Sequence, residues 1–166
     1  MGHQVDLAGL RSDLHLLLAV FLASQPIAAI GDFDRWRGED LYKLQDCEGN
    51  AITRLLLSTS ISLRVLDDQE QRALDYASIY CGRLTRDITK PVESNIGLTL
   101  REACNKIIHA SVVEFDRGAL PSGSPYLHPF LYLKGSERST AWEVQLDVVQ
   151  FVREGINAIL SLQAVA

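Results

Sequence analysis

Cysteine is scarce in this sequence, and the few that occur are far apart. Cys47, Cys81 and Cys104 are the three cysteines, and no two of them form a C-x-x-C pair. An odd number of distant cysteines disfavours a disulfide framework and suits a reducing compartment, so we expect a cytoplasmic protein. Structural zinc sites need closely spaced thiolates or imidazoles, so we expect no metal site.

Long apolar runs and an excess of positive charge are also missing. The apolar stretch at residues 14–23 is shorter than the roughly twenty residues that span a bilayer. Asp6 and Asp13 precede it against a single Arg11, whereas a secretory leader begins with positive charge. We therefore expect no membrane partner. The formal net charge of −5 means that any site for an anion must be a local patch.

The common motifs of catalysis and nucleotide binding are absent from the sequence. It contains no G-x-x-x-x-G-K-[ST], no G-x-G-x-x-G, no G-x-S-x-G and no H-E-x-x-H. These motifs mark phosphate loops, dinucleotide-binding turns, hydrolase nucleophiles and zinc proteases. Their absence removes the strongest signals for an enzyme, and we expect no cofactor.

What the sequence does contain is mainly helical patterning. Apolar residues recur every three or four positions at 5–23, 51–68, 100–115 and 148–160, which predicts amphipathic helices. Residues 67–81 predict a further helix, and residues 83–97 an irregular connector. Apolar and aromatic residues at 130–133 and 140–144 flank a polar turn, which predicts a β-hairpin. We therefore predict a single domain over residues 1–166, of the mostly α class: a helical bundle with a small β-hairpin before the C-terminal helix.

The most informative stretch is TLREACNKIIHA, residues 99–110. Thr99 and Glu102 have the T-x-x-E spacing of a capping box, which predicts a helix start. Arg101, Asn105 and His109 follow at intervals of four residues, so they lie along one flank of that helix. Polar side chains at the edge of an apolar stripe commonly bond to neighbouring elements. The alternative is that these three form a small site.

The segment ACNKIIHA resembles the signature helix of the HEPN superfamily, the higher-eukaryote and prokaryote nucleotide-binding domains. Asn105 and His109 match the polar and histidine positions, while Cys104 occupies the arginine position and Arg101 lies three residues upstream. The resemblance implies a small all-α domain, often dimeric, and in many members a metal-independent ribonuclease. It also implies that the histidine moves a proton at the ribose 2′-OH and that the arginine stabilises phosphate charge. On this basis the candidate catalytic residues are His109, Asn105 and Arg101.

A basic patch near the same helix is the candidate ligand-binding surface. Arg83, Arg86 and Lys90 precede the helix and could fold beside its start, together with Lys106. Such a patch would attract an RNA or a nucleotide. The alternative is a solvated loop whose charges are balanced by nearby carboxylates.

The predicted hairpin, residues 126–144, carries Tyr126, Tyr132 and Trp142 and could contact a protein partner. Alternatively it covers the bundle.

Three functional hypotheses follow from the sequence. The first is a non-catalytic or weakly active HEPN-like protein that binds RNA, a nucleotide or a partner protein in a regulatory or defence role. The second is a metal-independent endoribonuclease acting as a toxin or defence effector, and the third is a structural, oligomer-forming helical protein. The sequence leaves open whether the protein is an enzyme, and the resemblance implies a homodimer.

Overall fold

The structure, a computed structural model, describes residues 5–30, 40–69 and 80–163. The helices are α1 (Leu7–Ile30), α2 (Glu48–Gln69), α3 (Pro91–Ser94), α4 (Leu100–His109) and α5 (Val148–Gln163), with a 3-10 helix at Asp40–Cys47 leading into α2. The strands are β1 (Tyr80–Thr85), β2 (Asn95–Thr99), β3 (Val112–Ala119), β4 (Pro125–Glu137) and β5 (Thr140–Asp147).

These strands form one antiparallel sheet in the order β2-β1-β5-β4-β3. Strands β3, β4 and β5 follow one another along the chain, and β1 and β2 form a separate antiparallel pair. The two parts are joined where β1 lies beside β5, with Leu84 opposite Val144. The sheet is therefore continuous although its two parts are separated by α4 in the sequence.

Helices cover one face of this sheet. Alternate residues of β5, namely Trp142, Val144 and Leu146, are buried, as a strand with one covered face requires. Helices α1, α4 and α5 contact the strands on that side, and α2 packs against α1 and α4. The opposite face carries polar side chains such as Lys134 and Glu143, both partly exposed. The architecture is α+β with two layers.

Helix α1 contributes a narrow stripe to the core. Its buried apolar residues recur at steps of three, four and seven: Leu10, Leu14, Leu17, Phe21 and Ala28. By length and composition this helix could also cross a membrane, a test that the core helix of a soluble protein passes as well. Pro26 lies inside the helix, which continues to Ile30 rather than ending near residue 23 as its pattern predicts.

The prediction of a mostly α bundle with a small hairpin is wrong, because a five-stranded antiparallel sheet forms one of the two layers. The all-α domain that the HEPN resemblance implies differs from this architecture for the same reason. The segment expected to be an irregular connector forms β1, α3 and β2. The helix expected to continue to about residue 117 ends at His109, and β3 follows. Most of the helix predicted at 67–81 lies outside the described residues, although Tyr80 and Cys81 belong to β1.

Candidate ligand-binding groove

Helix α4 positions the predicted site, and its start is fixed by a side-chain cap. The hydroxyl of Thr99 accepts a hydrogen bond from the backbone N–H of Glu102 at 3.2 Å. This bond satisfies one of the free N–H groups of the first turn. Leu100, Ala103, Cys104 and Ile107 face the core. The polar residues between them are left on the helix flanks, as the sequence predicts.

Arg101 points away from the site and towards α2. Its guanidinium forms ion pairs with the carboxylates of Asp67 and Asp68. The Asp67 side chain is only 7% exposed, so Arg101 neutralises a nearly buried charge. Its axial separation from His109 is about 12 Å along α4. Arg101 is therefore part of the contact between α2 and α4, and the structure does not bring it together with His109.

Asn105 contacts both helix α2 and the cavity that His109 lines. Its Oδ1 accepts a hydrogen bond from Nη1 of Arg64 at 3.2 Å, which ties it to α2. Asn105 also lines a cavity of about 550 Å³ together with His109, Lys106 and residues of the β4–β5 hairpin. His109 is exposed at the last position of α4. Two of the three predicted catalytic residues therefore share one cavity.

A second cavity of about 410 Å³ adjoins the first and extends towards β1. The two share four lining residues, Glu102, Lys106, Glu137 and Trp142. We call the combined depression the α4–hairpin groove, because α4 forms one wall and the end of the β4–β5 hairpin forms the other. Arg86, Arg138 and Thr140 line its second half.

Lys106 is held where the two cavities meet. Its ammonium lies 4.7 Å from the centre of a Trp142 ring and 3.3 Å from Oε2 of Glu137. Its side chain is 13% exposed, so these contacts fix the position of a largely buried cation. Lys106 and His109 both lie in the last turn of α4, where the helix dipole favours positive charge.

The charge of the groove is mixed but positive on balance. Arg86, Lys106 and Arg138 contribute three cations, and Glu102 and Glu137 contribute two carboxylates. Arg86 pairs with Glu102 at 3.4 Å, and this pair is exposed and weak. Arg138 has no ion-pair partner among the described residues, and it lies in the hairpin turn at φ 47°.

The other predicted ligand-binding residues lie outside the groove. Arg83 is exposed on the outer face of the sheet, because its neighbour Leu84 faces the core. Lys90 is exposed in the turn before α3. The basic patch predicted from the sequence is therefore divided, and only Arg86 and Lys106 reach the groove. Glu137, Arg138 and Trp142 were missed as groove residues, and the Gly135–Trp142 strand pairing that places them is not visible in the local pattern.

The hairpin itself is embedded in the sheet. Strands β4 and β5 are both interior, with β3 and β1 as their outer neighbours. Neither strand has a free edge to which a partner strand could add. A protein partner could therefore contact residues 126–144 through the turn, the α4–hairpin groove or the outer face of the sheet.

Cys104, which occupies the arginine position of the HEPN motif, is fully buried, and burial raises the pKa of its thiol to about 12. It cannot supply the charge that an arginine would. Within residues 5–30, 40–69 and 80–163, no group of three or more His, Cys, Asp or Glu side chains is placed to hold a metal ion. Comparison with protein families, curated proteins and solved structures finds no match to this chain.

Proposed function

We propose that the protein binds a phosphate-bearing ligand, an RNA or a nucleotide, in the α4–hairpin groove without cleaving it, in a regulatory or defence role. The observation that carries this proposal is the position of Lys106. Its ammonium is held between Trp142 and Glu137 at the junction of the two cavities. Arg86 and Arg138 flank it on one side and His109 on the other, so a bound phosphate would meet several donors.

The position of the Arg101 guanidinium supports the non-catalytic form of this proposal. Ribonuclease chemistry of the HEPN type, as the resemblance implies, needs an arginine beside the histidine. Arg101 is engaged by Asp67 and Asp68 instead, and Cys104 is uncharged and buried. Binding without turnover is therefore favoured over cleavage.

Fluorescence anisotropy of a labelled single-stranded oligoribonucleotide tests the proposal at low salt. We expect saturable binding that falls steeply as salt is raised, because phosphate contacts release counterions. Lys106→Gln should weaken binding by about tenfold, since it removes one charge-assisted contact. Lys90→Gln, which removes the same charge at an exposed turn, should leave affinity nearly unchanged. Equal effects of the two substitutions, or no saturable binding, would contradict the proposal. Competition by ATP distinguishes a nucleotide ligand from RNA.

A metal-independent endoribonuclease is the second candidate, and the exposure of His109 in the groove favours it. Incubation of labelled RNA with the protein in EDTA tests this activity. Cleavage that disappears in His109→Ala but persists in His128→Ala would establish the ribonuclease and overturn the non-catalytic proposal. RNA that remains intact in this assay would exclude the endoribonuclease.

We also propose that the protein forms a homodimer or a larger oligomer. Leu57 and Ile61 are 42% and 47% exposed and lie one turn apart on α2, so they form an apolar surface that a second copy could cover. Sedimentation velocity across a wide concentration range tests this. A monomer at every concentration would exclude it, and Ile61→Lys should shift a dimer towards monomer.

A further inference from the structure

The start of α2 carries a buried carboxyl group that the groove does not use. Glu48 is the first residue of α2 and is 8% exposed. Its Oε2 accepts a hydrogen bond from the hydroxyl of Ser24 at 3.0 Å, and that hydroxyl accepts one from the backbone N–H of Leu127 at 2.9 Å. The carboxyl group is therefore held in a fixed orientation between α1, α2 and β4.

The second oxygen of this group has no such partner. Oε1 of Glu48 is buried and makes no hydrogen bond among the described residues. A buried polar atom left without a partner destabilises the folded state, and more so when it is charged. Burial raises the pKa of Glu48, and the hydrogen bond from Ser24 and the charge of Arg117 only partly oppose this. The folded protein thus carries a carboxyl group of which one oxygen, Oε1, lacks a hydrogen-bond donor among the described residues.

Glu48 lines a cavity of about 520 Å³ that is separate from the α4–hairpin groove. Asp46 adds a second carboxylate, and Phe115 and Tyr126 add aromatic rings. One wall is fixed by Gln45, whose Nε2 donates to the carbonyls of Ser24 and Pro125 at 3.3 and 3.0 Å. The cavity is preformed and contains acceptors and ring faces, which are the groups that bind organic cations.

Arg117 is the positive side chain that also lines this cavity. Its guanidinium lies 6.0 Å from the centre of the Phe115 ring, and the residue is exposed. Because Oε1 of Glu48 remains without a partner, Arg117 does not occupy the position that a donor would take. The lining carries two carboxylates against one guanidinium, so the balance favours a positive ligand.

We propose that this cavity is a second binding site, which takes a small organic cation bearing N–H donors, a primary ammonium or a guanidinium on a short apolar chain. The donor meets Oε1 of Glu48 and Asp46, and the chain packs against Phe115 and Tyr126. This site is independent of the function proposed for the groove.

Titration of the full-length protein with n-butylammonium and n-butylguanidinium, followed by amide NMR shifts, tests the site. We expect saturable shifts at Gly49 and Phe115 and none at Lys106 or His109. n-Butanol and butyrate, which match the chain but lack the cationic donor, should cause no saturable shift there. The stronger of the two cations identifies the headgroup. Failure of both cations to bind, or equal binding of n-butanol, would overturn the proposal.

Substitutions inside and outside the cavity test the site independently. Glu48→Gln should weaken binding by about tenfold, because it removes the charged acceptor while keeping the shape. Glu114→Gln removes an exposed carboxylate that pairs with Lys134 elsewhere and should leave affinity unchanged. Arg117→Ala should raise affinity, because it removes the positive charge from the cavity lining. Weakened binding in Arg117→Ala together with unchanged binding in Glu48→Gln would show that the ligand is held as an anion, and would overturn the assignment.

Discussion

At the scale of single residues, two buried carboxylates differ because only one has a cationic partner. Asp67 and Glu48 are 5% and 8% exposed. Asp67 meets the guanidinium of Arg101, whereas Glu48 has only the hydroxyl of Ser24 as a hydrogen-bond donor among the described residues. A paired buried charge and an unpaired one respond in opposite ways to substitution and to pH.

Removal of Arg101 should destabilise the protein through the charge that it leaves behind. In Arg101→Ala, Asp67 stays buried without its partner, and we expect the free energy of unfolding to fall by about 2 kcal/mol. The loss is smaller than for a fully buried pair because the Arg101 side chain is 39% exposed and partly screened. Urea denaturation measures it. Arg153→Ala, which breaks an exposed pair with Glu154, is the control and should change stability far less. Equal losses would show that the Asp67 pair contributes little.

Glu48 should make stability depend on pH in the direction opposite to that of a salt-bridged carboxylate. Its pKa rises on folding above the ordinary value of 4.5, because burial disfavours the charged form. Its contribution to stability is therefore complete below pH 4.5 and is lost as pH rises through the folded pKa. Relative to wild type, we expect Glu48→Gln to become progressively more stable as pH rises above 4.5.

Urea titrations at several pH values measure this difference, with Glu114→Gln as the reference for an exposed carboxylate. Arg117, Asp46 and Tyr126 are the other ionisable groups that line the cavity, and they are unchanged in both variants. A stability difference between wild type and Glu48→Gln that stays constant with pH would contradict the prediction.

At the scale of elements, α4 depends on its cap because it is short and carries the groove residues. Thr99→Ala removes the acceptor for the N–H of Glu102 and should cost about 1 kcal/mol of stability. Thr99→Ser keeps the oxygen and should recover most of the loss. Urea denaturation of the two variants separates the contribution of the hydroxyl to stability from that of the methyl group. If both variants lose the same stability, packing of the methyl group rather than capping is responsible.

Elements whose signals are local could be predicted from the sequence. The capping box placed the start of α4 correctly, and the apolar spacing from residue 148 placed α5, at whose start Asp147 accepts a hydrogen bond from the N–H of Gln150. The β4–β5 hairpin lies where apolar and aromatic residues on either side of a polar turn predicted a hairpin. Each of these depends on residues close together in the chain.

Elements whose partners are remote could not be predicted in the same way. Val112, Val113 and Phe115 continue the apolar spacing of α4, so the pattern alone extends the helix into β3. Their β-branched and aromatic side chains instead suit a strand, and pairing with β4 supplies the hydrogen bonds. Strands β1 and β2 were missed because β1 becomes an interior strand only by pairing with β5, which lies far away in the sequence.

The same distinction applies to the candidate site. The four-residue spacing predicted that Asn105 and His109 share a flank, and both line the groove. Helical periodicity cannot show that Asp67 and Asp68 would draw Arg101 towards α2. Nor could it reveal Trp142, which reaches Lys106 only through the register of β4 and β5.

At the scale of the whole molecule, the distribution of thiols between surface and core should be measurable. Cys47 is exposed, whereas Cys81 and Cys104 are buried. Burial raises the pKa of both core thiols, to about 12 for Cys104, so they hold few reactive thiolates. We expect Ellman's reagent to modify one thiol in the native protein and all three in urea. Cys47→Ser should abolish the native reaction, and rapid modification of a second thiol would show that the core opens readily.

The junction between β1 and β5 has a consequence for the order in which the chain assembles. Each of the two strand groups can form from neighbours in sequence, but Leu84 and Val144 are 60 positions apart. Closing a loop of that length lowers the entropy of the chain before any stabilising contact forms. Formation of the β1–β5 pairing should therefore limit the folding rate. A substitution that weakens the pairing of β1 with β5 should therefore slow refolding without preventing either strand group from forming. Newly synthesised chains would spend most of their folding time as two separate strand groups with unpaired edges.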